Sequence, residues 1–256
     1  MAKKIIVANW KMNPASAEEA KKIFGGIKKA AAKAKGVEVV VCPPFVYLSE
    51  LGSFASKLEL GAQDVFYEEK GAYTGEISPV MLKKDGVKYV IVGHSERRKM
   101  GETDEIMNKK TRAGLEAGLK IIFCVGEKAR DADGLYFDEV RKQIENGLKG
   151  VKSKLLEGLV IAYEPVWSVS SGGKLTPDDP ESVFKMSLFI RKKLLSFGDS
   201  FARGVPILYG GSVDSSTAGE FIGKGRVQGL LVGQKSLDPE EFGKILEVAS
   251  NAEAAK

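Results

Sequence analysis

The chain has 256 residues, with 39 lysines and arginines against 34 aspartates and glutamates. Hydrophobic residues at 43% and charged residues at 29% exclude compositional disorder, and 29 glycines without a three-residue period exclude collagen. The net charge of +5 is spread without a block of like charges, which argues against nucleic acid as a partner, and no apolar run approaches the ~18 residues of a membrane span.

Lys4–Ala8 is the first of eight short strand-like runs. Only Ile5–Ala8 follow Met1–Lys4 before Asn9, too short an apolar stretch for a secretory segment. Ser16 and Glu19 form a capping box ahead of a helix expected over Ala17–Ala34, and Gly36 stops it. Strands are expected at Val37–Cys42 and Leu58–Ala62, and Ser78-Pro79 opens a helix. Tyr89–Val92 is the fourth strand. Gly118 ends a helical run before the fifth, Lys120–Val125. Val140, Ile144, Leu148, Val151 and Leu155 step by three and four and are expected on one helix. Leu159–Tyr163, Pro206–Tyr209 and Gly229–Val232 complete the strands, with helix starts at Thr176-Pro177 and Asp238-Pro239. Cys42 and Cys124 cannot build a disulfide framework and fit a reducing cytoplasm, and together with His94 they lack zinc spacing, so no metal is expected.

Continuously apolar strands alternating with amphipathic helices suit parallel strands covered on both faces. Eight such units in one chain, without a linker or a shift in composition, give a single (β/α)8 barrel domain over residues 1–256 as the economical architecture. A doubly wound open sheet is the alternative. It usually carries a glycine-rich turn after the first strand, and Asn9-Trp10-Lys11-Met12-Asn13 has no glycine. Gly172-Gly173-Lys174-Leu175 is a poor match to a phosphate loop.

In such barrels functional groups sit past the C-terminal ends of the strands. Those ends carry Asn9 and Lys11, His94, Glu164, Gly210-Gly211-Ser212 and Gly233-Gln234. Each alone has a bland reading: a solvated lysine, a structural histidine, a turn. Together they make a set. A carboxylate removes a proton next to a carbonyl, an imidazole and an ammonium stabilise the oxygen that gains charge, and glycine-rich turns offer N–H groups to a phosphate. The set describes proton transfer on a small phosphorylated carbonyl compound, with no metal or organic cofactor required. The positive net charge either gathers such an anion or only aids solubility.

Five segments carry a resemblance: Asn9–Asn13, Gly71–Ser78, Gly93–Arg98, Ala162–Trp167 and Tyr209–Val213. With Val41–Pro44 and Cys124–Glu127, they run in order through nearly the whole chain and resemble the triosephosphate isomerase family. The resemblance implies that the chain interconverts D-glyceraldehyde 3-phosphate and dihydroxyacetone phosphate through an enediolate, in glycolysis and gluconeogenesis. It implies three catalytic residues, Glu164 as base, His94 as the neutral imidazole that polarises the carbonyl and Lys11 as the lysine that balances substrate charge, with Asn9 as a neighbouring substrate contact. Ser212, Gly233 and Gln234 fall on phosphate-binding positions, Ser170 on the lid position that donates a backbone N–H, and Glu96 on a family glutamate near the site. Residues Gly71–Pro79 match the loop by which family members form a homodimer.

The sequence departs from the family at three places. The lid reads Ser168-Val169-Ser170-Ser171-Gly172-Gly173-Lys174, with Ser170 in place of a glycine. The second phosphate turn reads Gly233-Gln234-Lys235-Ser236 instead of Gly-Gly-Ala-Ser. Arg226 stands where an acid is usual, so an ion pair there is expected to be missing. An altered lid on an intact barrel also fits a non-catalytic homologue that only binds phosphorylated ligands.

Overall fold

A computed structural model of the chain describes residues 3–55, 57–168 and 178–252. Eight parallel strands pair in chain order and close on themselves: β1 (Lys4–Asn9), β2 (Val37–Cys42), β3 (Glu59–Ala62), β4 (Tyr89–Val92), β5 (Lys120–Val125), β6 (Leu159–Tyr163), β7 (Ile207–Tyr209) and β8 (Gly229–Val232). β1 closes the ring by pairing with both β2 and β8, Val7 facing Val40 on one side and Leu231 on the other. β7 starts one residue later than the apolar run because Pro206 has no N–H to give, although its carbonyl accepts from Ile161 N–H at 2.9 Å.

The helices that wrap the barrel are α1 (Ala17–Ala31), α2 (Phe45–Gly52), α3 (Pro79–Lys84), α4 (Ser95–Lys99), α5 (Asp104–Glu116), α6 (Tyr136–Gly147), α7 (Pro180–Leu194), α8 (Asp199–Gly204), α9 (Ala218–Gly223) and α10 (Pro239–Asn251). None is long and apolar enough to cross a membrane, among the described residues. Ser16, Ser78 and Asp238 cap α1, α3 and α10 as the sequence leads one to expect, each side chain accepting N–H groups of the first turn. Gly36 and Gly118 both lie in the left-handed region that stops a helix, at φ 69° and 78°.

One expectation is corrected. The stripe from Val140 to Leu155 is not one helix: α6 ends at Gly147, Gly150 turns left-handed at φ 71°, and a 3₁₀ helix follows over Ser153–Gly158. The steps of three and four survive because both helical segments pack on the same core. Thr176-Pro177, where a helix start is expected, lies outside the described residues; α7 begins at Pro180. There Asp179 caps it by accepting Ser182 N–H at 2.9 Å.

Two apolar clusters fill the fold. Strand residues such as Ile6, Val41, Phe123 and Ile161 face the helices and build the larger one. The alternate set, including Ile5, Val7, Val40, Ile91, Ile122, Val160, Leu208 and Leu231, fills the barrel interior. The inward set ends in charge at the N-terminal floor. Tyr89 OH donates to Glu38 Oε1 at 2.7 Å, Lys120 Nζ donates to Tyr89 OH at 3.1 Å, and Lys88 bridges Glu38 and Glu59. At the other end the same alternation delivers the candidate site.

Candidate functional site

The period of two that points Ile5 and Val7 inward also points Asn9 inward. Likewise Val160 and Ala162 lead to Glu164, Leu208 to Gly210, and Leu231 to Gly233. These residues surround a cavity of about 250 Å³ at the C-terminal mouth, together with Lys11, His94, Gly211, Ser212, Gln234 and Lys235. The structure therefore gathers every expected site residue that it describes. Ser170 lies outside the described residues.

Glu164 is 2% exposed. Its backbone is held on both sides, its N–H donating to Val125 O and the preceding Tyr163 carbonyl accepting Gly210 N–H, both at 2.8 Å. Its Oε2 accepts Ser95 N–H at 3.0 Å, at the start of α4. Its Oε1 is buried without a hydrogen-bond partner and sits 3.4 Å from His94 Nε2. A buried carboxylate oxygen left unpaired is costly. Burial pushes the nearby Cys124 thiol up, and the charge of Glu164 adds to the effect, so the thiol stays protonated beside the carboxylate.

His94 is buried and stands immediately before α4, where its Nδ1 accepts Glu96 N–H at 3.2 Å. A ring nitrogen that accepts from a backbone N–H carries no proton. In this arrangement the imidazole is neutral, with its N–H at Nε2, on the side of Glu164.

Lys11 is not a glycine, yet its φ is 53°. That left-handed conformation costs about 1–2 kcal/mol and must be held in place. Asn9 Oδ1 accepts Lys11 N–H at 3.1 Å, and Gln63 Nε2 donates to both Lys11 O and Cys42 O, at 2.8 and 2.9 Å. The ammonium pairs with Glu96 Oε1 at 2.6 Å. The strain thus turns the lysine from the end of β1 across the mouth toward α4.

The far side of the cavity is made of the two glycine-rich turns. The segment Gly210–Val213 lines it, but Ser212 N–H here donates to Ser168 O at 3.2 Å, so that donor is engaged. After β8 a 3₁₀ helix spans Gln234–Leu237, with Ser236 donating from both N–H and Oγ to Gly233 O. The leading N–H groups of such a turn have no acceptor within it and suit an anion. A Cβ added at Gly233 would lie 3.4 Å from Lys11 Cε, which places this turn beside the lysine.

A family model for triosephosphate isomerase matches residues 4–249. The chain is 44% identical over 252 residues to a triosephosphate isomerase of Natranaerobius thermophilus, covering 97% of each chain. It is 42% identical over 251 residues to that of Endomicrobium trichonymphae, and 44% identical over 254 residues to that of a Thermoanaerobacter species. Each of these matches covers 96% of this chain and 99% of the relative. This chain belongs to the triosephosphate isomerase family.

Behind the family's signature segments lie supports that sequence reading did not single out. Gln63 follows β3 directly, so the rule that placed Asn9 and Glu164 reaches it too; an uncharged amide simply attracted no attention. Ser95 contributes only a backbone N–H, which no side-chain pattern reveals. Glu127, fully buried, accepts from Tyr163 OH, Trp167 Nε1 and Arg130 Nε at 2.9, 3.1 and 3.0 Å. It fixes Trp167 just beyond Glu164-Pro165. Arg191 donates to Gln228 Oε1 at 2.6 Å and to the carbonyls of Ala202 and Val205. Arg226 lies over the Phe184 ring, 5.1 Å from its centroid.

Proposed function

We propose that this chain is a working isomerase of its family, interconverting D-glyceraldehyde 3-phosphate and dihydroxyacetone phosphate by proton transfer through an enediolate. The observation that carries the reading is the convergence of an unpaired Glu164 oxygen and the Nε2–H of a neutral His94 on one cavity. In this reading Glu164 takes the proton from the carbon beside the carbonyl and returns it to the neighbouring carbon. His94 Nε2–H and the Lys11 ammonium stabilise the carbonyl oxygen as it gains charge. Asn9 contacts the substrate and holds Lys11. Ser212, Gly233, Gln234 and the lid residue Ser170 hold the phosphate through backbone N–H groups.

The Ser95 N–H holds Glu164 Oε2 at the edge of the cavity. On this proposal the carboxylate exchanges that hydrogen bond for the substrate's carbon-bound hydrogen, and Ser212 N–H leaves Ser168 for the phosphate. Substrate binding and closure of the site are then one event.

The chain acts as a single domain in a homodimer. Tyr73 in the Gly71–Pro79 loop is 44% exposed and packs on Phe66, at 4.7 Å between centroids, while Met12 beside Lys11 is 94% exposed. These exposed side chains support a second copy covering the loop and Met12; sedimentation as a monomer at micromolar concentration would exclude it. Two free, buried cysteines fit a cytoplasmic, glycolytic and gluconeogenic setting.

A coupled assay with purified protein and D-glyceraldehyde 3-phosphate tests the reaction. Glu164→Asp withdraws the carboxylate by one methylene and is expected to lower kcat about a hundredfold or more while substrate still binds. Phosphate binding without turnover in the native protein would leave only the non-catalytic reading, and full turnover in the variant would remove Glu164 as the base.

A further inference from the structure

Beyond the groups assigned above, the cavity has one charged lining residue without a role. Lys235 stands in the 3₁₀ turn after β8, exposed, where the family usually has an alanine. The charges around the mouth make its position informative. The Lys11 ammonium is already matched by Glu96 at 2.6 Å, and the Glu164 carboxylate has no cation of its own. His94 is neutral by its hydrogen bonding. Without Lys235 the mouth carries an unbalanced negative charge, and a phosphate dianion entering it adds two more. Backbone N–H groups meet part of that cost but bring no net charge.

Lys235 also has no committed partner among the described residues. The acid whose charge feels Lys235, Glu241 in the first turn of α10, accepts Ser215 N–H at 2.8 Å and lies 4.0 Å from Lys244 Nζ. The Ser215 N–H holds the Glu241 carboxyl below its ordinary range, and Lys244 and Lys235 contribute only as lesser causes. Lys235 therefore stands near Glu241 without being claimed by it.

We propose that Lys235 is a substrate-binding residue of this chain, an added cation at the phosphate end of the cavity that raises affinity for the doubly charged ester. The inference rests on the isomerase reading of the site. Lys235 acts on the remote, non-reacting end of the substrate, so its contribution is the same in the ground state and the transition state. It therefore shows in KM and in the salt dependence of kcat/KM, and not in kcat.

The test compares the native protein with Lys235→Gln, Lys235→Arg and Lys235→Glu. For Lys235→Gln, KM for D-glyceraldehyde 3-phosphate and the inhibition constant of inorganic phosphate are expected to rise roughly three- to tenfold, the scale of an exposed cation facing a dianion. In that variant kcat stays within about twofold, and the fall of kcat/KM with added salt is shallower. Lys235→Arg restores the native values and Lys235→Glu exceeds the glutamine variant. Turnover of D-glyceraldehyde, which has no phosphate, is unchanged in all three.

Unchanged KM and phosphate inhibition would overturn the proposal and leave Lys235 a solvated charge. An equal loss with D-glyceraldehyde, or a lowered melting temperature in Lys235→Gln, would overturn it in favour of a structural pairing with Glu241. If the native protein failed to isomerise the triose phosphate, the isomerase reading would fall. Direct calorimetric binding of inorganic phosphate, weaker in Lys235→Gln, would still decide the role of Lys235.

Discussion

Gly210→Ala tests whether the placement of Glu164 governs turnover. A Cβ at Gly210 would lie 2.8 Å from Glu164 Cγ, 3.4 Å from its Oε1 and 3.5 Å from Tyr163 O. Carbon atoms in contact prefer about 3.5–4.0 Å, so Cγ has to retreat by about 1 Å. The strands cannot share the movement, because Gly210 N–H is bonded to Tyr163 O and Glu164 N–H to Val125 O. Gly210 is not in the left-handed region, so alanine adds no backbone strain of its own. The displaced carboxylate loses its alignment with His94 and Ser95. A shift of that size costs on the order of a hundredfold in kcat, with KM little changed. The overlap also destabilises the fold by about 1–3 kcal/mol, which for a chain of this length lowers the melting temperature by roughly 2–4 °C per kcal/mol. A double-mutant cycle isolates the cause, since Glu164→Ala removes the Cγ that Gly210→Ala strikes. In that background the second substitution should cost nothing in thermal stability. Additive destabilisation, or full turnover in Gly210→Ala alone, would show that the glycine does not set the path of the base.

Neighbouring glycines in α1 give opposite expectations: Gly25 has nothing within 4 Å of an added Cβ, whereas at Gly26 that atom would lie 2.5 Å from Pro239 Cβ at the start of α10. Gly25→Ala is expected to stabilise by about 0.5–1 kcal/mol and Gly26→Ala to destabilise by about 1–3 kcal/mol, read as melting shifts of opposite sign. At the barrel floor, burial raises the Glu38 carboxyl, but the Tyr89 hydroxyl, Lys120 and Lys88 outweigh it and hold the group below its ordinary range. A carboxyl depressed in the fold stabilises it above the unfolded value of about 4.3, and that stability is lost as pH falls through the folded value. Tyr89→Phe should therefore cost about 1–2 kcal/mol near neutral pH, with the difference from the native protein shrinking below about pH 4. A pH-independent difference in chemical denaturation would contradict this.

Most of the barrel was legible because its strands obey two simple constraints at once. Runs such as Val37–Cys42 and Lys120–Val125 are apolar on both faces, as strands between a helix layer and a filled interior must be. The C-terminal rule then pointed to Asn9, His94, Glu164, Gly210 and Gly233 without any coordinates. What escaped is what spacing does not encode. The steps from Val140 to Leu155 fit one helix, but a left-handed Gly150 breaks them into an α-helix and a 3₁₀ helix that share a core. The left-handed Lys11 depends on Gln63, more than fifty residues away, and neither residue type announces the other. Arg226 was expected to mark a lost ion pair. Its guanidinium instead lies over the Phe184 ring, a placement that only packing discloses.

The two ends of the barrel show what separates a structural cluster from a reactive one. Both are built by the same alternation of strand residues, and both bring carboxylates and lysines close together. At the floor, Glu38 and Glu59 each have a lysine within 3.2 Å, and Tyr89 bridges what remains. At the mouth, only Lys11 and Glu96 are matched, while Glu164 keeps one oxygen unpaired and Lys11 holds a strained backbone. Unpaired charge and strain each cost free energy, and the mouth bears both, in Glu164 and Lys11. An interior this well packed could have placed a leucine at residue 164 at lower cost. That it holds a carboxylate there, beside a neutral imidazole and between two glycine-rich turns, is what the proposed reaction requires of a base.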